Sequence, residues 1–282
     1  MYKGMLPGLG WRQSIPDFRD LSPGSPQVAE LLAGVNGGAP PGKRAERVDL
    51  REFFPEAYDQ RHLNSSPANA SVALVEYFER RAAGKILQLS RLFLYHTTRR
   101  LMRVSDDSGA DLRSGFKAMT CFGVPAEQYW PYDVEKVNHD PDAFLYSYAR
   151  DYKPIRYVRL DERNSSGART LKVVRAFLEA GFPVAFGFPV PSSISSDGDI
   201  PYRPGLDSIR GGQAVVAVGF DDRRLGATRG ALLVRNSWGK GWGENGYGWL
   251  PYRFVEEQLA SDFWTLMHGE WLASGEFAHP LL

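Results

Sequence analysis

The spacing of apolar residues changes midway along this chain, and that change restricts the fold more than any other feature. In residues 57–150 the apolar side chains recur at helical intervals. Ala70, Ala73, Leu74, Tyr77 and Phe78 follow the i, i+3, i+4, i+7, i+8 pattern from Pro67 onward and predict a buried amphipathic helix. Further helices are expected over 87–102, with Leu89, Leu92, Phe93 and His96 inward, and over 110–119, stopped by Gly123. In residues 151–282 the apolar runs shorten to Val184–Phe188, Ala214–Val218, Ala231–Val234 and Phe263–Met267, bounded by Gly, Asp and Pro as strands of a buried sheet are. One helix, Thr170–Ala180, precedes the first of them. Helices first and an antiparallel sheet afterwards predict an α+β chain in two lobes, helical over 57–150 and mainly β over 151–282.

Residues 1–45 read as a separate arm and linker before a domain spanning 46–282, because Asn36-Gly37-Gly38-Ala39-Pro40-Pro41-Gly42 carries no core-forming side chain. Trp11, Phe18 and a short helix at Val28–Leu32 predict that part of the arm clasps the body. The 34 basic and 33 acidic residues are interspersed, so no stripe suited to nucleic-acid phosphates is expected. No run reaches the roughly 18 apolar residues of a membrane span. Pro7 and three glycines break up Met1–Trp11, so no secretory signal is expected there. The single cysteine, Cys121, fits a reducing compartment, so a cytoplasmic location is expected. That cysteine reads as a small buried residue at a helix end. Asp197-Gly198-Asp199 lacks the oxygen spacing of a calcium loop, and neither a metal nor a cofactor is expected.

Several short motifs fall in one order: Asp59-Gln60, a helix starting six residues after Gln60, Ser108-Gly109, Gly123-Val124, Trp130-Pro131-Tyr132, Gly211-Gly212 and Asn236-Ser237-Trp238-Gly239. Together they resemble papain-like cysteine peptidases from Asp49 through Trp264. The arm, with Gly10-Trp11 and Pro16-Asp17-Phe18-Arg19-Asp20, is similar to the start of bacterial members. The resemblance implies a cleft between a helical and a β lobe, a nucleophile at the N-terminus of the long helix, and a general base on the facing lobe. It places Ser66 at the nucleophile position and Gln213 at the base position, with Gln60 matching the oxyanion glutamine and Asn236 the residue that orients the imidazole. Asn64 stands where glycine is usual, so its side chain intrudes on the wall along which a peptide runs. Ser108, Gly109, Gly212 and Trp238 belong to the expected binding cleft.

The chemistry of these residue types decides what they can do. A cysteine at a helix N-terminus beside an imidazolium becomes a thiolate near neutral pH, whereas a serine hydroxyl needs a base to take its proton. A carboxamide at Gln213 has no basic site in that range. Ser66 followed by Pro67 also reads as a plain helix N-cap with proline at the first helical position. Gln60 alone can hydrogen-bond its surroundings, and Gln213 can pair amide to amide with Asn236 beneath Trp238. The sequence therefore predicts a pseudopeptidase that binds a peptide or protein partner. Two alternatives stay open: a serine-dependent hydrolase or acyl transferase using Ser66 with His62 as base, and an architectural subunit contacting others through the arm and exposed aromatics near Trp271. His96, on an apolar helix face, reads as a satisfied core residue, and His139, His268 and His279 show no partner pattern.

Overall fold

The computed structural model describes residues 8–33, 35, 44–149, 151–152, 155–224 and 230–280. The breaker cluster at 36–42 lies outside the described residues. In chain order the elements are α1 (Pro26–Ala33), β1 (Arg47–Asp49), α2 (Ser66–Ala83), α3 (Arg91–Leu101), α4 (Leu112–Phe122), α5 (Ala143–Tyr148), β2 (Arg156–Arg159), α6 (Gly167–Glu179), β3 (Val184–Pro191), β4 (Ile209–Asp221), β5 (Ala231–Arg235), β6 (Tyr247–Pro251), α7 (Arg253–Glu256), β7 (Ser261–Met267) and α8 (Gly269–Ala273). The strands form one antiparallel sheet in the order β2-β7-β3-β4-β5-β6, with β1 also paired to β4. Long β4 serves two neighbourhoods, pairing with β3 from Ile209 to Ala217 and with β5 from Val216 to Asp221. The chain is thus an α+β fold of two lobes.

Helix α2 is the hinge of the packing. It touches α3 and α4 on one side, β3, β4 and β7 on the other, and α8 near its end. The periodic face foreseen from Ala70 to Phe78 is only part of what it buries. Every residue from Ser66 to Phe78 is buried, because the helix lies between the lobes rather than on a surface. Three polar residues on that stretch are accordingly hydrogen-bonded: Asn69 Nδ2 donates to Ser65 O at 3.0 Å, Ser71 Oγ to Pro67 O at 2.8 Å, and Tyr58 Oη to Glu76 Oε2 at 2.6 Å. Gly84, in the left-handed region, ends the helix by donating its N–H to Arg80 O.

Local details depart from the sequence expectations in ways with physical causes. The N-cap of α2 is Ser65, while Ser66 and Pro67 are its first two residues. Ser65 offers no capping bond because its hydroxyl meets the Tyr132 hydroxyl at 2.6 Å. Helix α3 starts at Arg91, later than 87, because Ser90 caps it through Phe93 N and Leu89 bridges in extended form to Ala126. Asp111 caps α4 in the same way through Ser114 N. Cys121 is exposed on the last turn of α4, not buried. Trp271 is 4% exposed and stacks on Phe78 at 4.8 Å, so it presents no contact surface. Exposed aromatics lie elsewhere, at Phe18 and at Tyr129, Phe144, Tyr146 and Tyr148, where Tyr148 meets both Tyr129 and Phe144.

Candidate functional site

The N-terminus of α2 faces the start of the buried part of β4, and the expected site residues meet there. Ser66 is fully buried, and its Oγ accepts the backbone N–H of Ala214 at 3.2 Å. That bond joins the two lobes. Next along β4, Gln213 is fully buried, and its Nε2 donates to Gln60 Oε1 and to Asn236 Oδ1, each at 2.9 Å. Ser237 Oγ donates to the same Gln60 oxygen at 2.6 Å, and Ser237 N donates to Asn236 Oδ1 at 2.8 Å. The result is a cluster of neutral amides and a hydroxyl.

Backbone groups fix which way each amide points. Gln60 Nε2 donates to the carbonyls of Gly8 at 2.9 Å and Leu63 at 2.8 Å, which can only accept, so Gln60 Oε1 must face Gln213. Ser237 N can only donate, so Asn236 presents its oxygen in turn. Both amide hydrogens of Gln60 are thereby committed to carbonyls. Gln213 Oε1 and Asn236 Nδ2 find no protein partner among the described residues. Trp238 stands beside the cluster, 6% exposed and edge-on to Trp242 at 5.5 Å, and Asp59 bridges to it.

The histidines lie apart from this arrangement. His62 is exposed, whereas the Ser66 hydroxyl meets a backbone amide rather than an imidazole. His96 pairs with Asp140 at 3.3 Å on the far side of α3, and burial holds its pKa below the usual value. His268 precedes α8 and meets Trp271, and His279 contacts Pro280 O. Asp197-Gly198-Asp199 is a turn whose Asp199 pairs with Arg224 at 2.7 Å. Among the described residues no group of three or more metal-ligating side chains converges, and no helix is long and apolar enough to cross a membrane.

The cleft holds a segment of this same chain. Residues 8–14 run between the lobes in extended form, with Gly10 bridging to Gly212 and Trp11 to Ala110. Trp11 N donates to Gly212 O, Ala110 N to Gly10 O, and Arg12 N to Ala110 O, each at 2.9 Å. Asn64 faces the cleft and is used: its Oδ1 accepts Leu9 N at 2.9 Å, and its Nδ2 donates to Asp107 O at 2.6 Å. Gly109, with positive φ, lies so close that a Cβ would stand 2.3 Å from Gly10 O, while Ser108 beside it is exposed. Sequence reading missed this path, since main-chain bonding leaves no side-chain pattern; the glycines at 8, 10, 109, 211 and 212 were the available signal.

At its far end the arm is held by charge. Asp262 Oδ2 accepts Ser14 N at 2.6 Å and Trp11 Nε1 at 3.2 Å, and Arg159 stands 3.3 Å from its other oxygen. Burial pushes the Asp262 carboxyl up to about 6, against the pull of the Ser14 amide and Arg159. Asp161, whose pKa burial also raises, accepts the N–H groups of Asp262 and Phe263 and pairs with Arg159 at 3.0 Å. Asp20 of the arm pairs with Arg113 of α4 and lies 3.5 Å from Arg159.

Comparison with known proteins agrees with this architecture. Xylellain, a cysteine protease from Xylella fastidiosa, superposes with a TM-score of 0.74 at 30% identity, over 95% of this chain and 98% of that one. A digestive procathepsin L 3 from Tenebrio molitor larval midgut has a TM-score of 0.59 at 21% identity, over 85% and 78% of the two chains, and shares the fold. An uncharacterized peptidase C1-like protein of Acanthamoeba polyphaga mimivirus is 34% identical over 232 residues, 77% of this chain and 73% of its own. The papain family cysteine protease pattern matches residues 44–259. With a matching pattern, relatives and two-lobed architecture in agreement, the chain belongs to the papain family of cysteine proteases.

Proposed function

We propose that this member of the family carries out no peptidase chemistry and works by binding a peptide or protein partner. The observation that carries this reading is the state of Gln213. It lies on β4 opposite the start of α2, is fully buried, and uses its amide nitrogen to bond Gln60 and Asn236. Among the described residues Ser66 Oγ meets the Ala214 amide and no proton acceptor of suitable basicity, and a serine hydroxyl attacks only as a base removes its proton. An oxyanion would also find Gln60 already donating both hydrogens to Gly8 and Leu63.

The purified chain is expected to cleave nothing in a peptide library and to leave Ser66 unlabelled by a broad serine-reactive probe. Turnover that disappears in Ser66→Ala would overturn the reading and establish a serine-dependent hydrolase or acyl transferase.

A further inference from the structure

The residues that touch the arm define what else could lie there, and they do so position by position. Leu63 O would stand 2.1 Å from a Cβ on residue 8, and Asn64 O 1.8 Å from a Cβ on residue 10. Both obstacles are backbone and cannot swing aside, so these two positions admit glycine alone. Residue 9 is different, since the Leu9 side chain lies over Gly211. The Trp11 indole fills the space a side chain would need at Gly187, whose Cβ would fall 1.9 Å from the ring, and at Gly212, 2.7 Å from it. Its N–H reaches Asp262. Arg12 and Gln13 are exposed, with Arg12 held through its backbone N–H to Ala110 O.

We propose that the cleft is a receptor for an extended Gly-x-Gly-Trp segment of a partner protein, with residues 8–11 of this chain as the resident copy. The proposal deepens the binding function above and rests on it. Recognition combines main-chain bonding to both walls, which any extended peptide can make, with two glycine-only positions and one indole slot, which few can satisfy. A tethered arm competes at an effective concentration on the order of millimolar, so a partner gains entry when the arm is lifted. Ile15 and Phe18, 82% and 98% exposed just beyond the docked segment, are the apolar side chains a partner could grasp to lift it.

The test uses the full chain carrying Gly10→Ala, whose new Cβ meets Asn64 O and expels the arm. A fluorescent peptide of residues 8–14 should bind this variant at least tenfold more tightly than it binds the unaltered chain. Replacing the second glycine of the peptide by alanine, or its tryptophan by alanine, should each weaken binding at least tenfold. Equal affinity for the parent and glycine-replaced peptides would overturn the proposal, as would no binding by a variant with a normal melting transition and rapidly exchanging arm amides. Should Gly10→Ala fail to fold, Trp11→Ala loosens the arm without a clash, and the same peptide ratios decide. A dimer of the unaltered chain that dissociates on adding peptide would assign the slot to a second copy and overturn a foreign partner. Cleavage of the peptide would sink the inactive reading alone, because the affinity ratio reports on selectivity whether or not the peptide is cut.

Discussion

The two ends of the cleft hold the same arm by opposite means. At the centre, Gln60, Gln213, Asn236 and Ser237 form a neutral cluster, and its grip on the arm is a single amide-to-carbonyl bond at Gly8. At the far end, Asp262, Asp161, Arg159, Arg113 and Asp20 form an ionic cluster that holds the Trp11 indole, the Ser14 amide and the Asp20 carboxylate. Charged groups hold the arm at the far end, whereas Gln60 holds it at Gly8 through a neutral amide. On the proposed reading, the positions that the resemblance assigns to chemistry are held by neutral, mutually hydrogen-bonded side chains, whereas the charged groups anchor the arm.

The comparison breaks first at Asp262. Asp262→Ala leaves Arg159 without one of its buried partners and the Ser14 and Trp11 N–H groups without acceptors. It also puts a Cβ-bearing residue without a polar side chain at φ 61°. Breaking one side of a buried charged pair costs about 3–5 kcal/mol, so denaturant unfolding at pH 8 should show a loss of that order. A loss below that of a surface substitution would mean that the ionic end does not anchor the arm.

Asp262→Asn sharpens the contrast through pH. The carboxyl is held at about 6 in the fold against 3.8 in the open chain, so the folded state binds the proton more tightly. The resulting stabilisation is full below 3.8 and is lost as pH rises through about 6. At 1.36 kcal/mol per unit the window is worth up to about 3 kcal/mol. Relative to the unaltered chain, the asparagine variant should lose this part of the slope between pH 4 and 7, measured as melting temperature against pH. Parallel curves would remove Asp262 from the titration.

The smallest effect is expected at the neutral end. Gln213→Leu removes two donated bonds, yet Gln60 Oε1 retains Ser237 Oγ and Asn236 Oδ1 retains Ser237 N. A loss of about 1–2 kcal/mol, the same at every pH from 5 to 8, is expected from chemical denaturation. An unchanged stability would show that the amide cluster contributes nothing to the fold.

Much of the fold is legible in the sequence because it is written in periodicity. The stretch from Ala70 to Phe78, the short apolar runs of β3, β4, β5 and β7, and the glycine-rich loop after Asn236 all carry patterns that burial imposes. Three kinds of feature are not legible. Helix starts shift where a hydroxyl is diverted, as Ser65 is by Tyr132. Single residues such as Cys121 and Trp271 take their exposure from which elements pack on them. The arm's route depends on backbone contacts that any sequence with glycine at the right places can make. At the site, the residue types of Ser66 and Gln213 were readable, but the commitment of Gln60 to Gly8 required the arm to be in place.

The bonds from Trp11 and Ser14 to Asp262 span 251 and 248 residues. The arm is made before the body and therefore cannot reach its seat until β7, which carries Asp262, has emerged and joined the sheet. Contacts of such long range form late, after the local helices and hairpins. The lobes must assemble before the arm can seat, so the partner proposed above would find the slot empty in that interval, before the chain's own arm closes the opening.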